Sequence, residues 1–346
     1  MLKFFVVPVL SLFFGLVLIA TLSWTQTHDS AIVLQSLLTV FLLSILEISI
    51  SFDNAIVNAT VLKKMNGAWR KRFLTWGMLI AVFGMRFFFP LLIVSITGGY
   101  SLLESFQMAL TKPAEYSKMM LESHLAVSSF GGAFLLMVFL HFFINEDKHQ
   151  HWILFIEKPA QKFSGFSSAE LVIALLILMG LYRYLPAPQG ATFLESAVWG
   201  VVVYLVVHGL SDLLEQTNLA KVNWLSSGLG LFIYLEVLDA SFSFDGVVGA
   251  FAISTELVVI MTGLSVGAFF VRGLTLYLVE NETLKQFAFL EHGAFYALGA
   301  LAFFMLLDPF FHFSEWLTAL TGAGILVMSI FWSIYENRKD RTQQNQ

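Results

Sequence analysis

Cysteine is absent from the 346 residues, which excludes a disulfide framework, a zinc ribbon and any thiolate-based metal or redox centre. Charge is scarce as well: Asp, Glu, Lys and Arg make up 12% of the chain while 58% is hydrophobic, against about 25% charged in an ordinary soluble domain. A soluble enzyme of this size is excluded. A net charge of −5 names no partner, and no basic cluster is large enough for nucleic acid. No Gly-rich phosphate loop, His-Glu-x-x-His motif or evident nucleophile and base pair is present, so the expectation is that the protein is not an enzyme.

What the chain does have is apolar runs long enough to cross a bilayer, at about 20 residues each. They fall at 4–24, 32–62, 73–97, 125–144, 168–185, 193–213, 224–252, 257–280, 288–307 and 316–335. The expected fold is therefore all-α, a polytopic membrane bundle of about ten transmembrane helices, or nine if one run does not cross. The first run is read as a retained span, because its apolar stretch is long and lacks a small-x-small cleavage site. Lysine and arginine concentrate in cytoplasmic loops. Lys63, Lys64, Arg70, Lys71 and Arg72 put segment 63–72 inside. Alternating from there, fourteen of the 19 basic residues fall on the cytoplasmic side, and Lys112 and Lys118 alone fall outside. Arg86, Arg183 and Arg272 lie within spans. Both termini are then cytoplasmic. The long connections 98–124, outside, and 145–167, inside, each have room for a short amphipathic helix.

The second and seventh spans carry related segments, LEISISFDN at 46–54 and LDASFSFDG at 238–246. Ser49/Ser241, Ser51/Ser243, Phe52/Phe244 and Asp53/Asp245 are identical, and Glu47/Asp239 each put a carboxylate six residues before the aspartate. Gly77 to Arg86 and Gly263 to Arg272 are both nine-residue steps. On the topology above the two spans run in opposite directions, so the halves form inverted repeats. One membrane domain, 1–346, then divides into a first repeat at 32–144, connecting spans at 145–223, a second repeat at 224–335 and a cytoplasmic tail at 336–346. Inverted repeats place a site near the midplane at their interface, and exchange of the two conformations opens it to each side in turn.

A charged residue at a helix centre costs about 2.5–3.5 kcal/mol. Glu47, Asp53, Glu236, Asp239 and Asp245, ionised and unpaired, would together cost on the order of 15 kcal/mol. Arginine, protons, water or a bound cation must offset that. On an unbroken helix Glu47 and Asp53 lie about 120° apart, so convergence on one ion calls for a local break. The ISISF and ASFSF segments are mediocre helix formers, and both motif helices are expected to be broken there. The candidate metal ligands are Glu47, Asp53 and Asn54 with Glu236, Asp239 and Asp245, supported by the hydroxyls of Ser51 and Ser243 and by Arg86 and Arg272 as countercharges. Such oxygens suit hard divalent ions such as Mn²⁺, Ca²⁺ or Mg²⁺. The alternatives are plainer: Ser51 and Ser243 as packing contacts, the Arg and acid pairs as structural ion pairs, and Glu236, aligned with Ser44, as incidental. His208, Asp212 and Glu215 share a helical face near a span end. Glu146, Asp147, His149 and His151 form a loop expected to be solvated, and Glu291-His292 an ordinary polar helix start.

LEISISFDN and EVLDASFSFDG resemble the paired motifs of the TerC family of integral membrane proteins, within the LysE-like transporter superfamily. The likeness covers roughly 35–335 and includes an arginine in the span after each motif, here Arg86 and Arg272. Where that family commonly continues Asp-Ser-Ile-Pro-Ala, this chain has Asp245-Gly246-Val247-Val248-Gly249-Ala250. The resemblance implies export of a divalent metal, notably Mn²⁺, across a bacterial cytoplasmic (inner) membrane. The cation, Mn²⁺ or Ca²⁺, is then substrate rather than resident cofactor, and the partners are the metal ion and the lipid bilayer, with a homo-oligomer also compatible. The other reading is a non-transporting membrane scaffold in a tellurite-resistance or metal-stress complex.

Overall fold

A computed structural model describes residues 2–144, 151–162, 166, 168–216, 228–281 and 286–344; inside its helices a few side chains, that of Asp245 among them, fall outside the description. The described chain is helical throughout, with no strand among the described residues. In order, the helices are α1 (Val6–Thr27), α2 (Ser30–Ile50), α3 (Phe52–Lys64), α4 (Gly67–Gly98), α5 (Leu102–Thr111), α6 (Pro113–Glu122), α7 (His124–Ile144), α8 (Leu154–Gln161), α9 (Ala169–Tyr182), α10 (Ala187–Gln216), α11 (Leu229–Ile253), α12 (Leu257–Glu280), α13 (Leu290–Phe311) and α14 (Glu315–Gln344). Eight of them are long and apolar enough to cross a membrane. The protein is a multi-pass helical membrane protein. The two other expected runs correspond to α9, which is shorter, and to the acid-bearing α11; neither is among the eight.

The helix ends follow local chemistry. Asp29 caps α2 by accepting from the Ala31 N–H at 2.8 Å, and Asn66 caps α4 through the Trp69 N–H at 2.9 Å. Gly99 ends α4 at φ 69°, in the left-handed region glycine enters without strain. The outer connection folds into α5 and α6, the first opened by a capping box of Ser101 and Glu104. Large apolar side chains face outward along the spanning helices, including Phe13, Phe14, Trp199, Phe331 and Trp332. In water such surface would drive aggregation; in lipid it is the expected exterior.

Two compact units divide the chain. The first comprises Met1–Ala55, Met65–His124 and Leu235–Tyr277, and it contains the acidic segments of both motif helices together with Arg86 and Arg272. The second comprises Ile56–Lys64, Leu125–Tyr234 and Leu278–Gln346. Within the second unit, small residues bring helices together, as expected where apolar burial alone does not drive helix association. Gly132 of α7 sits against Leu306 and Met305 of α13, Gly200 of α10 sits against the Phe130 backbone, and the Phe142 and Phe295 rings stack 3.8 Å apart.

Of the two breaks expected in the motif helices, one is present and one is not. The first motif helix is interrupted at Ser51, whose φ −95° and ψ 15° depart from helical values, although its N–H still reaches the Glu47 carbonyl at 2.9 Å. The second motif helix, α11, runs unbroken from Leu229 to Ile253, which corrects the expectation of two broken motif helices. No proline stands at 245–250 to remove a backbone donor there, and glycine costs only about 1 kcal/mol inside a helix. Irregularity instead falls in α4, where Phe73–Gly77 and Ile80–Phe88 are π-helical, and Arg86 lies in the second of these stretches. Such widened turns recur at functional positions.

Candidate functional site

Glu47 is 1% exposed and Arg86 is 4% exposed, and in the first unit they form a close ion pair through Glu47 Oε1 and Arg86 Nη2. Arg86 also donates from Nη1 to the Ala81 carbonyl at 2.5 Å and from Nε to the Leu264 carbonyl at 3.1 Å. The Ser51 hydroxyl, at the interruption, donates to the same Glu47 oxygen at 3.1 Å. A buried charge left alone would be expensive; this one is paired and hydrogen-bonded.

Three residues along from Ser51, Asn54 is buried and donates from Nδ2 to Asp239 Oδ1 of α11 at 2.6 Å, which brings the two motifs into direct contact. Asp53 is buried and accepts from the Asn54 N–H at 2.9 Å. Glu236 and Asp239 are half-buried, one helical turn apart on α11. Glu236 Oε1 lies against Gly77 in the π-helical part of α4, 2.5 Å from where a Cβ would stand. Ser243 is buried on α11. The Asp245 backbone belongs to α11, and its side chain lies outside the described ones.

Contacts made by one repeat recur in the other with the partners exchanged. Ser44 donates to the carbonyl of Gly263 at 3.0 Å; its aligned residue Glu236 abuts Gly77, which aligns with Gly263. Asn54 meets Asp239; the aligned Gly246 meets Glu47, a Cβ there standing 3.1 Å from Glu47 Oε2. Under the sequence alignment of the two motifs, each of these contacts has a counterpart with the partners exchanged. The reciprocity fails at the arginines. Arg86 Nε reaches Leu264, whereas Arg272 is half-buried and its Nε has no hydrogen-bond partner among the described residues.

Among the described residues, no group of three or more histidine, aspartate or glutamate side chains is placed to hold a metal ion. The arrangement is a pair of motifs in contact, one acid neutralised by arginine and another held by an amide. Elsewhere in the first unit a cavity of about 310 Å³ opens among α2, α11 and α12, lined by Gln35, Ser36, Thr39, Ser254, Thr255 and Glu256 among others. Thr39 lies two helical turns from Glu47 on α2, about 12 Å along the axis.

Sequence reasoning used Gly77 and Gly263 only to mark the repeat and passed over Gly267 and the close helix approach these glycines allow. Gly263 and Gly267 of α12 receive α2: a Cβ at Gly263 would meet Leu43 Cβ at 2.6 Å, and one at Gly267 would meet Glu47 Cβ at 2.5 Å. The signal is the spacing Gly-x-x-x-Gly in an apolar run. The same five residues, GLSVG, spell Gly-x-Ser-x-Gly, but they lie inside a continuous helix and not at the strand-to-helix turn that exposes a nucleophile.

In the second unit, Glu157 of α8 is fully buried and accepts from the Ile153 N–H at 3.0 Å, the Trp152 N–H at 3.2 Å and the Tyr296 hydroxyl at 3.1 Å. His151 Nδ1 is 3.3 Å and His292 Nε2 3.9 Å from the same carboxylate. His151 is therefore no solvated loop residue, and His292 is buried within the first turn of α13, where Glu291-His292 was expected to open a span. His208 stacks on Tyr204 with the rings 9° apart, and His141 lies 4.5 Å from it. Glu146, Asp147 and His149, and the side chains of Asp212 and Glu215, lie outside the described residues.

No curated protein and no solved structure matches the chain. A family model described as "Protein of unknown function (DUF475)" matches residues 52–340, and the chain belongs to that family.

Proposed function

We propose that this membrane protein exports a hard divalent cation, foremost Mn²⁺, by alternating access. The observation that carries the reading is the direct contact between the two acid-bearing motifs, Asn54 with Asp239, inside a unit whose contacts exchange between repeats. Intramembrane acids on repeated elements are the recurrent equipment of ion transporters. The resemblance of LEISISFDN and EVLDASFSFDG to TerC motifs points to the same substrate class. Carboxylate, amide and hydroxyl oxygens favour Mn²⁺, Ca²⁺ or Mg²⁺ over soft ions. The hydroxyl-lined cavity beside Glu256 is the vestibule on the non-cytoplasmic side. The protein resides in a bacterial cytoplasmic membrane with both termini inside and catalyses no reaction.

The test is flux of Mn²⁺, Ca²⁺ and Mg²⁺ in proteoliposomes, with Asp53→Ala and Asp245→Ala as comparisons. Export predicts ion-selective flux that both substitutions abolish; no flux of any of these ions ends the reading. Because the chain lacks cysteine, Lys64→Cys and Lys118→Cys give single labelling sites, which should react from opposite faces of the membrane.

A second reading has an observation of its own. The Glu47–Arg86 pair is already satisfied, and no three described acids converge, as in a scaffold held together by internal ion pairs. That reading predicts wild-type metal tolerance in the two aspartate variants.

A further inference from the structure

The eight-residue helix α8 has the sequence LFIEKPAQ, and its single acid decides how it is rolled. Glu157 is fully buried, held by the Trp152 and Ile153 N–H groups and by the Tyr296 hydroxyl. At about 100° per residue, Leu154, Phe155, Lys158 and Lys162 fall on one stripe about 100° wide, whose middle lies about 110° from Glu157. Lys162 continues the last turn, its N–H reaching the Pro159 carbonyl at 3.2 Å. With the acid turned inward, the stripe faces out: Leu154 is 53% and Phe155 80% exposed, and both lysines are exposed. The outward face combines two large apolar side chains with two positive charges and no negative one.

The level of α8 along the spanning helices decides what that face meets. α7 and α13 pack antiparallel, with Phe142 stacked on Phe295 and Ser128 donating to the Met305 carbonyl at 3.0 Å. The end of α7 at Ile144 and the start of α13 at Leu290 therefore lie together. Tyr296 stands six residues, about 9 Å, inside α13. Its ring packs against Phe139 and Phe143 of α7 and against Trp152, with centroids 6.3, 4.4 and 5.7 Å away. A helix bonded to Tyr296 does not stand off in the aqueous phase. The 22 residues of α13 span about 33 Å, little more than a hydrocarbon core of about 30 Å, so α8 lies at the boundary between headgroups and acyl chains.

We propose that α8 is an interfacial anchor that binds anionic phospholipid, with Leu154 and Phe155 among the acyl chains and Lys158 and Lys162 on the phosphates. On the topology proposed above the leaflet is the cytoplasmic one; the assignment does not depend on the exported cation. Interfacial helices bury their apolar side about 5–10 Å into this boundary. A lysine stem lies along apolar surface while its ammonium reaches the headgroups, so one stripe serves both contacts. Charge selects the lipid: a zwitterionic headgroup offers the lysines no net attraction, whereas an anionic surface attracts each of them. The spanning helices already hold the protein in the bilayer, and α8 has only to choose the lipid beside it.

Because the chain lacks cysteine, Phe155→Cys gives a single labelling site. A spin label there, on the full-length protein in nanodiscs of phosphatidylcholine and phosphatidylglycerol, is expected to meet dissolved oxygen more than a water-soluble nickel chelate. Leu154→Cys carries the same expectation if Phe155→Cys does not fold. The second arm titrates the purified protein with a fluorescent phosphatidylglycerol. Lys158→Gln with Lys162→Gln should weaken binding about 25-fold, about fivefold for each lysine, with phosphatidylcholine binding and melting temperature unchanged. Lys158→Arg with Lys162→Arg should retain it, and millimolar inorganic phosphate should not displace the lipid. A label open to the nickel chelate overturns the proposal, as does unchanged phosphatidylglycerol affinity in the glutamine variant. Spin–spin coupling between labels would give the face to a second copy of the chain, and displacement by inorganic phosphate would make it a phosphate site; either also overturns the proposal. Failure of Mn²⁺ flux bears on the exporter reading alone and leaves these outcomes as they stand.

Discussion

Gly267 lies directly beneath the Glu47 side chain, so that a Cβ added to the glycine would stand 2.5 Å from Glu47 Cβ and 2.6 Å from Cγ. Neither group can yield cheaply. The Glu47 head is fixed by Arg86 and Ser51, and the Ser44 carbonyl is 3.0 Å from the same point. Gly267→Val should destabilise the detergent-purified protein by about 1–3 kcal/mol or more, as overpacking does. Gly324 of α14 meets nothing within 4 Å, so Gly324→Ala should be neutral or stabilising. Melting temperatures of the two variants side by side check the contrast.

Arg86 and Arg272 occupy equivalent places in the repeats but not equivalent surroundings. Arg86→Gln leaves the buried Glu47 carboxylate without its cation and should cost about 3–5 kcal/mol. Adding Glu47→Gln should recover a large part of that loss, since the stranded charge is then gone. Arg272→Gln, at a half-buried site whose Nε has no partner among the described residues, should cost far less. Chemical denaturation of the four proteins reads the difference; equal losses for both arginines would contradict the asymmetry.

Glu157 holds the start of α8 by accepting from the Trp152 and Ile153 N–H groups, and it ties that start to α13 through Tyr296. Glu157→Ala strands those donors and should cost about 1–3 kcal/mol, with Tyr296→Phe costing nearer 1 kcal/mol. Limited proteolysis should cut at 151–161 faster in both variants, and faster in Glu157→Ala.

Outside the spans, the backbone N–H and the hydroxyl of Ser101 both donate to Glu104, at 2.7 and 2.8 Å, and hold its carboxyl below the usual glutamate value. For an acid lowered on folding, the stabilising contribution is complete above its unfolded value, about 4.3. It is lost as the pH falls through the lower folded value. Protection of the α5 amides, measured relative to their intrinsic exchange rates at each pH, should therefore fall on acidification below that range, and Glu104→Gln should remove this pH dependence while lowering protection at neutral pH.

The helical membrane class was legible because hydropathy and helix length are tied to the same bilayer thickness. Residues Glu47, Asp239 and Arg86 stood out because charge inside an apolar run is costly and needs a reason, and Asn54 because it adjoins Asp53 in the same motif. What the sequence could not convey was which acid meets which base. Arg86 reaches Glu47 through the widened turns of α4, and no pattern in FLTWG or IAVFGMRFF announces a π-helix. The continuity of α11 was misjudged because serine and aromatic content was weighed over the missing proline. Glu157 gave no signal at all: its partners come from a loop and from a helix more than a hundred residues away in sequence.

Ser44 and Glu236 hold equivalent places, yet one is a hydroxyl bonded to the Gly263 carbonyl and the other a carboxylate set against Gly77. In a symmetric dimer of identical chains every residue appears twice, so any change on one side of the axis is imposed on the other. Joining both copies in one polypeptide lifts that constraint. A position can then keep an inert hydroxyl in one half and acquire a charged group in the other, so a single substitution can alter one side of the axis without duplicating its cost.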